Sequence, residues 1–269
     1  MKRILITGGA SGLGKALAEK YAQQGFGVCI ADINQEDGEA LAAALSSKYS
    51  NDCFYHRLDV TSEDEWQIIQ QAIGERWQGL DIIVNNAGVA SSGDIDQLPM
   101  ADFQWTLDVN VMGVAKGCYT FVPMLKKSKG HVVNVASIAG LIHMSSMSAY
   151  NTSKAAVVAM SETLLSELAP FGVGVSVVCP AFFKTNLTDS MRATHEGGIK
   201  IANKLMERSS IQAEDVARMV YQGVSSNKFY VVTHPKETWL WRIKRFIPSL
   251  YFAYMKRTAK KFHAKANQG

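Results

Sequence analysis

Two residues of the chain, Tyr150 and Lys154, have the types and the spacing needed for proton transfer. Side chains four residues apart leave the same face of a helix, so a helix over this segment places the ammonium beside the phenol. A nearby positive charge favours the phenolate and lowers a pKa that starts near ~10, which makes a tyrosine usable as a general acid or base. The same spacing occurs in ordinary surface pairs on helices, so the neighbouring elements must decide between a site and a coincidence.

A glycine-rich segment near the start of the chain has the form of a phosphate-binding turn. Residues 4–6 predict a short buried strand and residues 15–24 predict a helix; between them lies Thr7-Gly8-Gly9-Ala10-Ser11-Gly12-Leu13-Gly14. Glycines let the backbone approach a ligand closely, and the N-terminus of the following helix favours a negative charge. A tight turn without a ligand is the alternative interpretation.

An acidic residue follows the second predicted strand, 27–31. Asp32 can accept hydrogen bonds from the hydroxyls of an adenine ribose there, and its charge repels a 2′-phosphate. Ser11 and Ile33, where a basic residue would favour that phosphate, are uncharged. The pattern predicts NAD as the cofactor and disfavours NADP. Lys15 is the one nearby cation, and in the first turn of a helix we expect it to face solvent.

Strand and helix patterns alternate over residues 1–235 and predict an α/β fold, a doubly wound parallel sheet of the Rossmann type in a single domain. The predicted strands are 4–6, 27–31, 53–58, 81–84, 131–135, 173–178 and 229–233, and the predicted helices are 15–24, 36–48, 61–77, 101–125, 148–169 and one that begins near 212. Ligands bind such sheets outside the carboxyl ends of the strands. Asp32, Asp59 and Asn86 all follow strands, so we expect them to line one crevice.

Four motifs in this order and spacing resemble the short-chain dehydrogenase/reductase family. They are Thr7-Gly8 with Gly12 and Gly14, Asp59-Val60, Asn85-Asn86-Ala87-Gly88 and Tyr150-x-x-x-Lys154. The resemblance covers residues 1–235 and implies a Rossmann-fold oxidoreductase with a nicotinamide cofactor. It implies cofactor contacts from Gly8, Ser11, Gly12, Leu13, Gly14, Asp32, Asp59, Val60, Asn86, Ala87, Gly88, Tyr150, Lys154, Phe183 and Thr185.

The resemblance also implies four catalytic residues, Asn110, Ser137, Tyr150 and Lys154. Ser137 lies 13 residues before Tyr150, the separation that the family uses. Tyr150 is expected to move the proton on the substrate oxygen, which Ser137 holds. Lys154 is expected to lower the pKa of the tyrosine and to bind the nicotinamide ribose. Asn110, in the helix predicted over 101–125, stands where the family has an asparagine that holds a water beside the lysine.

The residues around the nicotinamide depart from the family in one place. Ala181 replaces the usual glycine after the sixth strand and Phe183 stands at an aliphatic position, whereas Thr185 matches. The departure concerns the local backbone path and not the cofactor. The next stretch, 186–210, lacks strong periodicity and corresponds to the family's substrate loop, so we expect a lid there.

The sequence therefore predicts an enzyme that transfers a hydride between NAD(H) and an alcohol or carbonyl substrate. The methionines and phenylalanines of the loop and the aromatic C-terminal segment favour a hydrophobic substrate, such as a lipid-like, steroid-like or acyl carbonyl compound. A non-catalytic NAD-binding redox sensor and a membrane-peripheral dehydrogenase are the alternatives. The helix predicted over 148–169 is apolar on nearly all sides, which with the helix over 101–125 predicts a homodimer or homotetramer.

The composition limits the class of protein. Hydrophobic residues make up 47% of the chain and charged residues 19%, which favours a sizeable core over disorder. The four cysteines are scattered without a CxxC pair, which predicts reduced thiols and no disulfide framework. The histidines form no cluster with each other or with the cysteines, so we predict no metal site. No run reaches the ~20 apolar residues of a membrane span. These features predict a cytoplasmic protein.

Residues 236–269 form a predicted basic, aromatic extension of the domain 1–235. They hold nine Lys and Arg residues and one acid, a net charge of +8, and because the whole chain carries +4, residues 1–235 carry −4. Aromatic and basic residues recur at helical spacing over 239–257, with a break at Pro248. The segment is either a helix folded over the substrate pocket or onto a neighbour, which we favour, or an amphipathic segment in weak contact with anionic lipid. No nucleic-acid-binding pattern is present, so we predict no nucleic-acid partner.

Overall fold

The computed structural model describes residues 1–266, and it describes side chains except at positions 186, 196–198, 201 and 261–266. In chain order the elements are β1 (Arg3–Thr7), α1 (Gly12–Gln23), β2 (Gly27–Asp32), α2 (Gln35–Tyr49), β3 (Cys53–Arg57), α3 (Glu63–Trp77), β4 (Ile82–Asn85), β5 (Ser91–Ser92), α4 (Met100–Leu107), a π-helical turn (Asp108–Met112), α5 (Gly113–Ser128), β6 (His131–Val135), α6 (Ser148–Leu168), β7 (Gly174–Cys179), β8 (Arg192–Ala193), α7 (Glu196–Glu207), α8 (Ala213–Ser225), β9 (Tyr230–Val232), α9 (Pro235–Phe246) and α10 (Pro248–Ala266). Single turns of 3-10 helix lie at Ile138–Gly140, Ala169–Phe171 and Asn186–Thr188.

Seven strands form one parallel sheet in the order β3-β2-β1-β4-β6-β7-β9. The chain adds β2 and β3 on one side of β1 and then crosses to add β4 and its successors on the other side. The carboxyl ends of β1 and β4 therefore form the point where the strand order reverses, which is where such sheets bind ligands. The predicted fold, a doubly wound parallel sheet in a single domain, is confirmed.

Apolar layers cover both faces of the sheet. Leu5 and Ile83 pack on one face with α3, α5 and α6, and Ile4 and Val84 pack on the other with α1, α2 and α8. Successive residues of a strand point to opposite faces, so a strand that is covered on both sides is an unbroken apolar run. This burial holds the strand ends, and the polar residues that follow them, in fixed positions.

Two segments differ from the sequence-based prediction. One predicted helix is interrupted, and the predicted lid contains a helix and a short strand. The helix predicted over 101–125 extends over 100–128, but the π-helical turn interrupts it between α4 and α5. The predicted lid, 186–210, contains α7 and the short strand β8, which pairs with β5. The glycine pair 197–198 of that segment lies outside the residues with described side chains.

The C-terminal segment forms two helices that pack on the domain. The predicted break at Pro248 is confirmed, because α9 ends at Phe246 and α10 begins at Pro248. A proline suits the first position of a helix, where its missing N–H has no partner to lose. Tyr251 of α10 is 2% exposed and belongs to the apolar core. Within residues 1–266, no helix is long and apolar enough to cross a membrane.

Candidate active site

A cavity of about 770 Å³ lies at the carboxyl ends of β1, β4, β6 and β7. It gathers every residue predicted to bind the cofactor or to act in catalysis except Gly14 and Asn110. Those two residues are buried behind the cavity wall, Gly14 against Gly8 and Asn110 against Gly88. The sequence-based prediction of one crevice at the strand ends therefore agrees with the structure.

The glycine-rich turn depends on glycine at specific positions. Gly8 and Gly12 have φ values of +60° and +49°, in the left-handed region that side chains disfavour. A Cβ atom at Gly14 would lie 1.9 Å from the carbonyl oxygen of Gly8, so α1 can approach the turn only without a side chain there. Ser11 is the N-cap of α1 and makes no side-chain cap bond. The first N–H groups of α1 are thus left for a ligand, and the site fits a dinucleotide phosphate.

Thr7 and Asn86 hold this turn against the end of β4. The Thr7 Oγ1 atom accepts hydrogen bonds from the backbone N–H groups of Asn86 and Ala87, both at 3.0 Å. The Asn86 amide donates to the carbonyl oxygens of Thr7 at 2.9 Å and of Gly8 at 3.1 Å. The side-chain amide of Asn86 therefore supports the turn, while the residue also lines the cavity.

Two carboxylates mark the other strand ends. Asp32 accepts hydrogen bonds from the backbone N–H groups of Ala10 at 2.9 Å and Asn34 at 3.0 Å. Asp59 accepts from the N–H of Thr61 at 2.9 Å and from its hydroxyl at 2.8 Å. Both carboxylates are held in place by neighbours and both reach the cavity, where either can accept a hydrogen bond from a ligand.

Asn110 lies in the π-helical turn and is fully buried. Its Oδ1 atom accepts from the N–H of Val89 at 2.8 Å, and its amide donates to the carbonyl oxygen of Val89 at 2.9 Å and to Ser153 Oγ at 3.0 Å. A Cβ atom at Gly88 would lie 3.1 Å from Asn110 Oδ1 and 3.3 Å from Lys154 Nζ. Asn110 and Lys154 therefore border the same small space beside Gly88.

Ser137 and Tyr150 form the hydrogen-bonded pair of the site. Ser137 follows β6, where its Oγ atom accepts from the N–H of Ala139 at 3.1 Å and donates to the carbonyl oxygen of Pro180 at 3.4 Å. Tyr150 lies in the first turn of α6 and is 8% exposed. Burial raises the pKa of Tyr150, and its hydrogen bond with Ser137 lowers that pKa by less. The spacing argument for a lowered pKa is therefore wrong for this structure, because burial is the largest influence on the pKa of Tyr150 and raises it.

Lys154 is buried one turn further along α6, at 4% exposure. Its Nζ atom donates to the carbonyl oxygen of Val135 at 3.1 Å and lies 5.8 Å from the centre of the Tyr150 ring. Burial lowers the pKa of Lys154 from 10.5 to about 8. The ammonium can therefore lose its proton close to neutral pH, which a surface lysine does not do.

The other end of the cavity is apolar. It is lined by Trp105, Ile142, Met144, Met147, Leu187, Met191, Met206 and Leu240. Met147, Leu187 and Met191 also pack against a small buried cluster that contains Tyr150. Glu237 of α9 reaches the cavity as well, and among the lining residues with described side chains Lys154 is the only cation. Four of the apolar residues lie in segments predicted to contact the substrate, the loop 186–210 and the C-terminal segment. No signal in the sequence pointed to Trp105, Ile142, Met144 and Met147, because they are ordinary apolar side chains from other parts of the chain.

The residues near Phe183 show how the departure at Ala181 is accommodated. The N–H of Ala181 donates to His234 Nδ1 at 3.2 Å, and His234 Nε2 lies 3.1 Å from the carbonyl oxygen of Phe182. Phe183 is buried and lines the cavity. Thr185 lies beside the turn, with its Cβ atom 3.7 Å from where a Cβ at Gly12 would be. These residues close the cavity between β7 and the start of α1.

Comparison with known proteins decides the family. A model of the short chain dehydrogenase family matches residues 2–196 of this chain. The chain belongs to the short-chain dehydrogenase/reductase family. The resemblance based on the motifs is confirmed, and with it an oxidoreductase class that acts on alcohol and carbonyl groups with a nicotinamide cofactor.

Three relatives illustrate the range of this family. The chain is 31% identical over 196 residues to trans-4-hydroxycyclohexanecarboxylate dehydrogenase of Sinomonas cyclohexanicum, covering 71% of this chain and 76% of the relative. It is 33% identical over 189 residues to 3-alpha-(or 20-beta)-hydroxysteroid dehydrogenase of Mycobacterium tuberculosis, covering 70% and 71%. It is 30% identical over 255 residues to the probable oxidoreductase EphD of the same organism, covering 91% of this chain and 43% of the longer relative.

Solved structures of the family agree with the fold. A short-chain dehydrogenase/reductase from Burkholderia phymatum in complex with NAD has a TM-score of 0.87 and 31% identity, covering 93% of this chain and 94% of its own. A short-chain dehydrogenase from Sphingobium yanoikuyae in complex with NADPH has a TM-score of 0.77 and 24% identity, covering 96% and 95%. Structural relatives thus bind either form of the cofactor.

Proposed function

We propose that this protein is an NAD-dependent oxidoreductase that interconverts a hydrophobic alcohol and the corresponding carbonyl compound. The observation that carries the proposal is the placement of Ser137, Tyr150 and Lys154 in the same cavity as the glycine-rich turn. The nicotinamide, when bound, supplies or accepts the hydride. The protein's own residues bind and orient the substrate and move one proton.

Tyr150 is the proposed proton donor and acceptor for the substrate oxygen. Ser137 hydrogen bonds with Tyr150, so the two hydroxyl groups can hold one substrate oxygen between them. Burial raises the pKa of Tyr150 and keeps the phenol protonated near neutral pH. A protonated phenol suits donation to a carbonyl oxygen, the direction of reduction.

Lys154 and Asn110 have different proposed roles behind this pair. Lys154 lines the cavity, where it can bind the nicotinamide ribose. Its lowered pKa of about 8 allows the ammonium to pass on a proton. Asn110 does not line the cavity, and its three hydrogen bonds go to Val89 and Ser153. We therefore treat Asn110 as a positioning residue, which fixes the space beside Gly88 where a relay water is held next to Lys154.

The preference for NAD rests on charge at the end of β2. The Asp32 carboxylate reaches the cavity and would repel a 2′-phosphate. Its neighbour Ile33 is 68% exposed and offers no charge to a phosphate. Because Lys154 is the only cation among the described lining residues, none is supplied from elsewhere in the wall.

The proposed substrate class rests on the apolar end of the cavity. Met147, Leu187 and Met191 line the cavity and pack against the apolar cluster that contains Tyr150, so a substrate oxygen at the phenol has apolar side chains nearby for the rest of the molecule. Burial of such surface contributes about 25 cal/mol per Å², which favours a lipid-like, steroid-like or acyl compound over a small polar one. The hydroxysteroid dehydrogenase among the relatives is consistent with this class.

A homodimer or homotetramer is proposed through α5 and α6. Tyr119 of α5 is 85% exposed. Met112, in the π-helical turn before α5, and Leu165 of α6 are also exposed. Large apolar side chains at the surface favour contact with another subunit. The proposed dehydrogenase domain is residues 1–235, with 236–269 as an extension that adds Glu237 and Leu240 to the cavity wall.

The decisive experiment measures turnover of hydrophobic alcohols and ketones by NADH absorbance, with NAD and NADP side by side. Tyr150→Phe should lower kcat by about 10²–10⁴-fold, the usual contribution of a general acid or base. Tyr49→Phe is the matched control, because Tyr49 at the end of α2 is not among the residues that line the cavity. Binding of NADH, followed by its fluorescence, should persist in both variants.

Two outcomes would contradict the proposal. Undiminished turnover by Tyr150→Phe would exclude Tyr150 as the proton donor. NADH binding without turnover of any substrate by the unmodified protein would instead support the redox-sensor alternative. A strong preference for NADP would refute the role assigned to Asp32.

A further inference from the structure

The turn between α9 and α10 is an exposed apolar tip. Every residue from Arg245 to Leu250 is exposed, and this hexapeptide is called the tail turn below. Phe246 is 76% exposed, Ile247 51% and Leu250 55%. Three large apolar side chains so close together at one turn differ from the singly scattered apolar residues of an ordinary surface.

Basic side chains recur along the two helices that flank this tip. The described cations of the segment are Lys236, Arg242, Lys244, Arg245, Lys256, Arg257 and Lys260, and none of them forms an ion pair with a described residue. Lys261 and Lys265 lie outside the described side chains. Glu237 is the only acid of the segment, and it lines the cavity at the other end of α9. The positive charge around the tail turn is therefore not neutralised within the described structure.

The inner side of the same helices is fixed to the domain. Lys244 Nζ donates to the carbonyl oxygen of Leu141 at 2.6 Å, and the Tyr251 hydroxyl accepts from the N–H of His143 at 3.0 Å. Leu240 of α9 lines the cavity. The tail turn is thus held outward by anchored helices, and its exposure does not come from a detached segment.

We propose that the tail turn docks on an anionic lipid surface. The apolar tip enters the boundary between head groups and acyl chains, and the flanking lysines and arginines contact anionic head groups. Charge complementarity selects this partner, because two copies of a segment with net charge +8 repel each other. A nucleic acid would match the charge but would leave Phe246, Ile247 and Leu250 without apolar contacts.

Sequence analysis offers two interpretations of residues 236–269, a cover over the substrate pocket and a contact with anionic lipid. In this proposal each applies to one side of the segment. The inner side covers the cavity through Glu237 and Leu240, and the outer side meets the lipid. Docking attaches the domain to a membrane through the same segment that contributes Glu237 and Leu240 to the cavity wall. This inference rests on the exposed residues and their charge, so it stands or fails independently of the proposed reaction.

The test is co-sedimentation of the full chain with sucrose-loaded vesicles of phosphatidylcholine alone or mixed with phosphatidylglycerol. We expect at least about tenfold stronger binding to the anionic vesicles at low salt, because cations at the surface attract anionic lipid. The gain should disappear near ~1 M salt, where the Debye length falls to about 3 Å. Absence of binding to anionic vesicles at low salt would overturn the proposal.

Variants locate the contact. Phe246→Ser with Ile247→Ser should lower anionic-vesicle binding about tenfold or more, and Arg245→Glu should lower it at low salt only. Phe171→Ser and Lys126→Glu are matched controls, because Phe171 is an exposed aromatic on the body of the domain and the partly buried Lys126 holds its Nζ atom 3.8 Å from the centre of that ring. Melting temperatures show whether each variant is folded.

The mass of the protein assembly in sedimentation shows whether the tail turn contacts another subunit and not a lipid surface. If the serine variant binds vesicles like the unmodified protein but sediments with a smaller mass, the tail turn is a subunit contact and the proposal is wrong. Retention on duplex DNA by the unmodified protein, without vesicle binding, would likewise overturn it. An unchanged mass with lost vesicle binding supports it.

Discussion

Replacing Lys154 by methionine is predicted to stabilise the fold while it removes activity. Lys154 is 4% exposed and makes one hydrogen bond, from Nζ to the carbonyl oxygen of Val135 at 3.1 Å. Methionine has a similar length and no charge, so it fills the same space. The variant therefore separates the cost of burying an ammonium from its use in the reaction.

The magnitude follows from the pKa. Burial lowers the pKa of Lys154 from 10.5 to about 8. At about 1.36 kcal/mol per pKa unit, the charged form destabilises the folded protein by about 3 kcal/mol at pH 7. Loss of the hydrogen bond to Val135 costs about 1 kcal/mol. The free energy of unfolding of Lys154→Met should therefore exceed that of the unmodified protein by about 2 kcal/mol at pH 7.

The same pKa predicts a pH dependence with a definite sign. A base whose pKa is lower in the folded state binds fewer protons there than in the unfolded chain between the two pKa values, so its contribution to stability rises with pH. For Lys154 this window runs from about pH 8 to pH 10.5. The advantage of Lys154→Met should shrink across the window and vanish or reverse above it.

Urea unfolding followed by circular dichroism at pH 7 and at about pH 10 measures both effects. Lys116→Met is the matched control, because Lys116 on α5 also donates to a backbone carbonyl, of Thr61, yet lies partly at the surface. The control should show no gain in stability at pH 7, because the substitution removes an ion pair with Glu63 and a hydrogen bond to Thr61. A Lys154→Met variant that is less stable than the unmodified protein at pH 7, or whose advantage is equal at both pH values, would refute the reasoning. The kcat of Lys154→Met should fall at least about 10²-fold.

Three further substitutions test the cofactor turn and the relay. Ile33→Arg places a cation beside Asp32 and should raise kcat/KM with NADP about tenfold, because a guanidinium binds phosphate well; equal values before and after would contradict the charge argument. Gly14→Ala puts a methyl group 1.9 Å from a loop carbonyl oxygen and should destabilise the fold by about 1–3 kcal/mol and abolish NADH binding, whereas Gly79→Ala, with no atom within 4 Å, should be nearly neutral in urea unfolding. Gly88→Ala fills the proposed relay space and should lower kcat about 10–100-fold, measured by NADH absorbance at saturating cofactor; an unchanged kcat would argue against a relay there.

The fold was predictable because its signals are local. Strands such as β1 and β4 are short apolar runs, and the turn after β1 carries glycines whose φ values no other residue adopts easily. The interruption of the helix over 101–125 was not predictable in this way. The π-helical turn around Asn110 is held by Val89 and Ser153, which lie in other elements.

Part of the chemistry of the site also needed the structure. The spacing of Tyr150 and Lys154 predicts that they share a helix face, and they do lie close together in α6. It does not predict the pKa of either group. Burial raises the pKa of Tyr150 and lowers that of Lys154, and the side chains that bury them come from distant parts of the chain.

The sequence by itself determined the order of strands and helices, the cofactor turn, the family and the set of candidate catalytic residues. Only the tertiary structure decided which residues form the apolar end of the cavity and that Glu237 and Leu240 of the C-terminal segment reach it. It also decided that the tail turn faces outward. The physical reason is range: backbone conformation depends on near neighbours in sequence, whereas burial, and with it pKa and pocket polarity, depends on contacts between residues far apart in the chain.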